Sequence, residues 1–196
     1  MIGATIVGLP IFGALACVLV VYAGAVMQAS TGVGVGILSS PVLLLVDPDF
    51  IPAAVVVSVL PLSFSVAIAD RAHIDRRGVT AALIGRVPGL VFGAVVVAAI
   101  SDDVLAILVS TTVLLGVAVS ITTKRFTPTT PALVLAGFGS GFTGTAVGVG
   151  GPPIAMTYQH SDPVTMRATI SFFFSVGSVL TAIALVVAGE LGRRQL

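Results

Sequence analysis

Residues 31–41 read Thr31-Gly32-Val33-Gly34-Val35-Gly36-Ile37-Leu38-Ser39-Ser40-Pro41, and residues 143–153 read Thr143-Gly144-Thr145-Ala146-Val147-Gly148-Val149-Gly150-Gly151-Pro152-Pro153. Set over one another at an offset of 112, both spell T-G-x-x-V-G-x-x-x-x-P. In a helix interior glycine costs about 1 kcal/mol relative to alanine and proline about 3. Each stretch therefore predicts an interrupted helix. Small residues precede both copies, Ala23-Gly24 and Ala136-Gly137, and an Asp-Pro pair follows each, Asp47-Pro48 and Asp162-Pro163, out of register at that offset. Self-similarity of this kind reads as an internal repeat, with a first membrane repeat over 1–123 and a second, incomplete one over 124–196.

The solvent around these segments is lipid. The chain has 196 residues, 57% of them hydrophobic and 9% charged, where soluble domains carry about 25% charged residues. Mean hydropathy is +1.17, and no single soluble core of this length hides so much apolar surface. Most soluble enzymes, nucleic-acid readers and disordered chains are excluded. A net charge of +1 leaves no basic patch for nucleic acid. Cys17 stands alone, so neither a disulfide within the chain nor a cysteine metal cluster forms. Trp is absent, leaving Tyr22 and Tyr158 for the interfacial belts.

Crossing the hydrocarbon takes about 20 apolar residues. Charges and turn residues divide the chain into about six spans, at 4–28, 51–69, 78–100, 104–122, 131–158 (broken) and 165–188, with an irregular glycine-rich stretch up to Val46. The opening run carries no Lys or Arg ahead of its apolar part and reads as a retained span, not a signal peptide. The fold class is thus all-α, a polytopic helical bundle with broken or re-entrant segments. Arg71, Arg76 and Arg77 fall between spans two and three, Lys124 and Arg125 between four and five, and Arg193 and Arg194 at the end. The alternate loops hold Asp47 and Asp49, then Asp102 and Asp103, then His160 and Asp162, with Arg167 as the one basic exception. The positive-inside rule places the first set, and with six crossings both termini, in the cytoplasm. Residues 4–46 as one helix would reach about 64 Å, so the excess is either a re-entrant piece or a second crossing.

An interrupted helix bares N–H and C=O groups that hydrocarbon does not tolerate. Paired breaks in two halves are the pattern of a midplane transport site, and helix N-termini favour an anion there. The expected binding residues are Thr31, Gly32, Gly34, Gly36 and Pro41 in one copy, and Thr143, Gly144, Gly148, Gly150, Gly151 and Pro153 in the other. Ser39, Ser40 and Thr145 add hydroxyls. Close helix packing also accounts for the Gly32/Gly36 and Gly144/Gly148 spacings, but not for the prolines that follow. No Gly-Lys-Ser/Thr follows either, which removes a phosphate loop.

Arg86 comes nine residues after Arg77, about 14 Å along a helix, and just before Pro88-Gly89. A charge at that depth faces an interior or a cavity. Its guanidinium fork suits the oxygens of an anionic substrate; snorkelling or pairing with a carbonyl is the alternative. Arg167 and His160 mark a candidate outer vestibule, while His73 and Asp75 read as a structural turn. Phe172-Phe173-Phe174 reads as lipid-facing or packing bulk. No His-Glu-x-x-His, intramembrane acid pair or Gly-x-Ser-x-Gly occurs. The expectation is a non-enzyme with neither metal nor cofactor.

The stretches 28–41 (QASTGVGVGILSSP) and 137–153 (GFGSGFTGTAVGVGGPP) resemble the sulfite exporter TauE/SafE family, also called the 4-toluene sulfonate uptake permease family. His73-Ile74-Asp75-Arg76, Pro88-Gly89-Leu90-Val91-Phe92-Gly93 and Arg167-Ala168-Thr169 extend the resemblance over about residues 20 to 185. It implies a multi-pass carrier in the cytoplasmic membrane for small anions such as sulfite or sulfonates. Family members usually have two more spans after the sixth. By that pattern the second half here is short, implying a shortened member, a homodimer whose partner supplies the rest, or a truncated reading frame. An assembly subunit without transport of its own is the competing expectation.

Overall fold

The computed structural model describes residues 5–6, 9–47, 50–51, 53–122 and 128–187. Expectations that fall on Pro48, Asp49, Lys124, Arg125, Arg193 and Arg194 lie outside the described residues. Two-residue strands β1 (Thr5–Ile6) and β2 (Leu9–Pro10) pair antiparallel before the first helix. Eight helices follow among the described residues: α1 (Ile11–Thr31), α2 (Val35–Val46), α3 (Ala53–Ala69), α4 (Arg76–Ala99), α5 (Asp102–Thr122), α6 (Thr130–Ala146), α7 (Gly151–Tyr158) and α8 (Pro163–Val187). The all-helical expectation holds. Ile11–Thr31, Arg76–Val96 and Pro163–Ala184 are long and apolar enough to cross a membrane. The first span begins at Ile11, later than expected, because the ladder occupies the residues before it.

Local chemistry sets the helix ends. Asp75 caps α4, its Oδ1 accepting from the Gly78 N–H at 3.0 Å, and Asp162 Oδ2 accepts from the Thr165 N–H at 3.1 Å at the start of α8. Pro131 and Pro152 sit in the first turns of α6 and α7, where no N–H is needed. α1 stops at Gly32, whose φ of 85° is the left-handed conformation only glycine takes freely, and Gly148 after α6 has φ 74°. The expected irregular stretch shrinks to Gly32–Gly34. From Val35 the chain is helical again, through Pro41.

Both breaks are hairpin turns. Gly24 of α1 packs on Val35 of α2, and the Val35 N–H donates to Gln28 Oε1 at 3.0 Å. On the other side, Gly150 lies against Ser140 and Gly144, and Pro153 against Gly139, so α7 runs back along α6. The α6 helix itself packs parallel to α4 along a seam of glycines, Gly85 on the Val134 carbonyl, Gly89 on Phe138 and Gly93 on Phe142. α6 therefore enters from the face where α4 starts, and α7 returns to it. The Tyr158 hydroxyl donates to Asp75 Oδ2 at 2.9 Å, and Arg167 pairs with Asp70 at 2.7 Å.

This corrects the expected topology. The segment 131–158 is a re-entrant hairpin and not a crossing, so His160, Asp162 and Arg167 share a face with Arg71, Arg76 and Arg77. Counting apolar residues cannot separate the two cases, since a hairpin and a span consume similar lengths. α7 has eight residues, about 12 Å, too few to complete a passage. Arg167 stops being an exception to the charge asymmetry. α8 runs antiparallel to α3, starting beside Asp70 and Asp75, and so ends at Val187 on the far face. The expected side of the chain end rests on Arg193 and Arg194, which lie outside the described residues.

The first hairpin enters from the far face. Its tip, Gly32, rests on the Arg167 carbonyl and Ile170 near the start of α8. The two hairpins pass side by side, with Gly36 against the Gly148 carbonyl and Gly151 against Val33. The sequence offset does not superpose the two turns: the left-handed glycine of the second hairpin is Gly148, four residues beyond the Gly144 that the offset sets on Gly32. Val35, Val109, Val149, Ile170 and Phe173 are fully buried around the crossing, while Phe12, Leu45, Leu114 and Leu135 point outward. In a lipid solvent that outward apolar surface is ordinary.

Candidate functional site

Arg86 stands on α4 beside Gly144, near the tip of the second hairpin, and is 2% exposed. Its Nη1 donates to Ser140 Oγ on α6 at 3.3 Å and its Nη2 to Thr181 Oγ1 on α8 at 3.5 Å. The guanidinium carbon lies 4.7 Å from the centre of the Phe173 ring and 5.8 Å from that of Phe174, a cation–π contact that is strongest when water is excluded. Gly177 supplies the room: a methyl on it would collide with the guanidinium. Arg86 Nε has no hydrogen-bond acceptor among the described residues. Leaving a charged donor unmade in a dry interior is expensive. The arginine is therefore held by neutral groups, its charge uncompensated by any described carboxylate, with a donor to spare.

Arg86 forms one wall of a cavity of about 30 Å³ between the hairpins. Gly34 and Gly36 line it from the first break and Gly144, Gly148, Gly150 and Gly151 from the second. A water needs roughly 10–15 Å³ on this scale, so the space suits a few atoms. The first-turn amides of α2 and α7 have no carbonyl of their own helix to bond. In α2 the Val35 N–H is taken by Gln28, leaving those of Gly36 and Ile37. In α7 the prolines at 152 and 153 have no N–H, so Gly151 is the donor of that turn.

The remaining expected residues lie outside the cavity lining. Thr31 bonds the Met27 and Val33 carbonyls, at 3.0 and 2.8 Å, and stabilises the turn. Thr143 bonds the Gly139 carbonyl at 2.9 Å. Gly32 packs on α8, Pro41 sits inside α2 and Pro153 rests on Gly139. His160 and Arg167 lie at the basic face, with Arg167 engaged by Asp70. Ser40 Oγ, buried and without a partner among the described residues, is beside Gly148.

Four lining or bracing residues were not singled out from sequence: Gln28, Ser140, Ser178 and Thr181. Ser171, Ser175, Ser178 and Thr181 are buried along one side of α8, and their three- and four-residue spacing was the available signal. Ser140 does double duty, accepting from Arg86 and donating to the Gly150 carbonyl at 2.5 Å. That carbonyl ties the arginine to the second break.

Among the described residues no cluster of metal-ligating side chains occurs. A family model described as Sulfite exporter TauE/SafE matches residues 16–195. No curated protein and no solved structure matches the chain.

Proposed function

The chain belongs to the sulfite exporter TauE/SafE family and is a multi-pass membrane transporter, and we propose that its cargo is a small sulfur oxyanion held against Arg86 between the two helix breaks. The observation that carries this reading is the buried guanidinium with an unused N–H on the wall of that cavity. An oxyanion there would accept from Arg86 and from the amides of Gly36 and Gly151, placing its charge at two helix N-termini. A cavity of about 30 Å³ favours sulfite over a sulfonate bearing an aromatic ring. With Arg71, Arg76, Arg77 and Arg167 on one face, we assign that face to the cytoplasm and the protein to the inner membrane.

The opposed hairpins support an alternating-access reading: each enters from its own face and contributes glycines to the cavity lining, so that parting α7 from α4 would open the basic side and parting α2 from α3 the other. The test is uptake of labelled sulfite, sulfate and 4-toluenesulfonate into liposomes holding the purified chain. Sulfite should move fastest, Arg86→Ala should abolish movement, and Arg86→Lys should retain a fraction of it. Undiminished sulfite flux in both variants would overturn the assignment.

A further inference from the structure

A second cavity, of about 830 Å³, lies on the outside of the bundle between α3, α4 and α8. Its walls are apolar, with Phe64 and Ile68 from α3 and Val179 and Leu180 from α8, and Arg71 and Arg76 stand at its end. It shares no residue with the Arg86 cavity, because the two use different sides of α8. Arg71 and Arg76 are exposed, and neither meets a carboxylate among the described residues. The nearby acids are engaged elsewhere, Asp70 by Arg167 and Asp75 by Tyr158 and Gly78.

The groove has a direction. It starts at the membrane face marked by Arg71 and runs inward along α8 from Phe172 to Leu180. Those eight residue steps are about 12 Å of helix, against a single hydrocarbon leaflet of about 15 Å. An apolar trough most of one leaflet deep with two unpaired cations at the headgroup level matches one chemistry. We propose that it holds an anionic glycerophospholipid, with acyl chain against Phe64, Ile68, Val179 and Leu180 and phosphate between Arg71 and Arg76. Basic pockets between membrane helices take anionic headgroups in this way.

The test offers the purified full chain, in mild detergent, equal amounts of phosphatidylglycerol and phosphatidylcholine with identical acyl chains. Retained lipid is counted by native mass spectrometry. One phosphatidylglycerol per chain should be kept, at least tenfold over phosphatidylcholine. The double variant R71Q/R76Q should bring the ratio to within twofold of unity, and R77Q, which alters an arginine outside the groove, should leave it unchanged. Val179→Trp should fill the trough and lose both lipids with the arginines intact. Equal retention by the native chain, a ratio unchanged in R71Q/R76Q, a ratio lost in R77Q, or full retention in Val179→Trp would each overturn the proposal.

Discussion

Tyr158 and Asp75 meet at 2.9 Å across 83 residues of chain, joining the last residue of α7 to the cap of α4. The same carboxylate caps the Gly78 N–H, and the Asp75 N–H donates to Thr169 Oγ1 at 2.9 Å. One aspartate thus collects α4, α7 and α8 at one face. Labelling of single cysteines tests this directly. In a Cys17→Ala background, His73→Cys and His160→Cys should react with a membrane-impermeant thiol reagent from the same side. Reaction from opposite sides would mean that 131–158 crosses the bilayer after all.

Removing the hydroxyl loosens that junction. Tyr158→Phe deletes one hydrogen bond to a charged acceptor, worth about 1.5–3 kcal/mol, while Asp75 keeps its cap on α4. Melting of the purified protein in detergent should fall by a few degrees. Transport should rise or fall according to whether opening at this face limits the cycle; an unchanged melting temperature would show that the contact carries no stability.

The positions of the helix breaks were legible because glycine and proline act locally, through backbone conformation and missing donors. The direction of the chain after each break was not. Whether α7 goes on or turns back depends on Tyr158 finding Asp75 and on Pro153 packing on Gly139, contacts between residues far apart or on facing helices. Arg86 stood out because an isolated charge in an apolar run has few permitted places. Its partners did not, since Ser140 and Thr181 are ordinary membrane-helix residues until the fold brings them together. The sequence offset misses the second turn by four residues for a similar reason: matching letters align glycines used for packing, while the fold uses Gly148 for the turn.

Ser140→Ala separates the arginine from the second hairpin. Nη1 loses its acceptor, and the Gly150 carbonyl loses its donor. Substrate affinity should weaken roughly tenfold, the equivalent of one charge-assisted hydrogen bond, with the protein still folded. Concentration dependence of sulfite flux reads this out, and an unaltered half-saturation would detach Ser140 from the site.

Gln28 plays the matching part in the first hairpin. Its Oε1 accepts from the Val35 N–H and its Nε2 donates to Ser63 Oγ on α3 at 2.8 Å. Gln28→Leu leaves the Val35 amide buried and unbonded, a cost of about 1–3 kcal/mol, and frees the tip of the hairpin from α3. Ser63→Ala breaks only the second bond and leaves that amide satisfied, so it should cost less. Equal destabilisation by the two, measured by thermal melting, would contradict the capping role.

The glycine seam between α4 and α6 gives a comparison within one helix. A methyl on Gly137 would run into the Ala82 carbonyl, whereas one on Gly139 would meet Pro153 carbons at 3.5 Å, ordinary contact. Both positions are helical, and both gain the same propensity from alanine, about 1 kcal/mol. Gly137→Ala should nonetheless destabilise, because overpacking a backbone contact costs about 1–3 kcal/mol, and forcing α6 away from α4 also draws Ser140 away from Arg86. Gly139→Ala should be neutral or stabilising and should transport normally. If the two alanine variants melt together and transport alike, the close parallel packing that holds Arg86 at the mouth of the second hairpin is not the contact that holds the site.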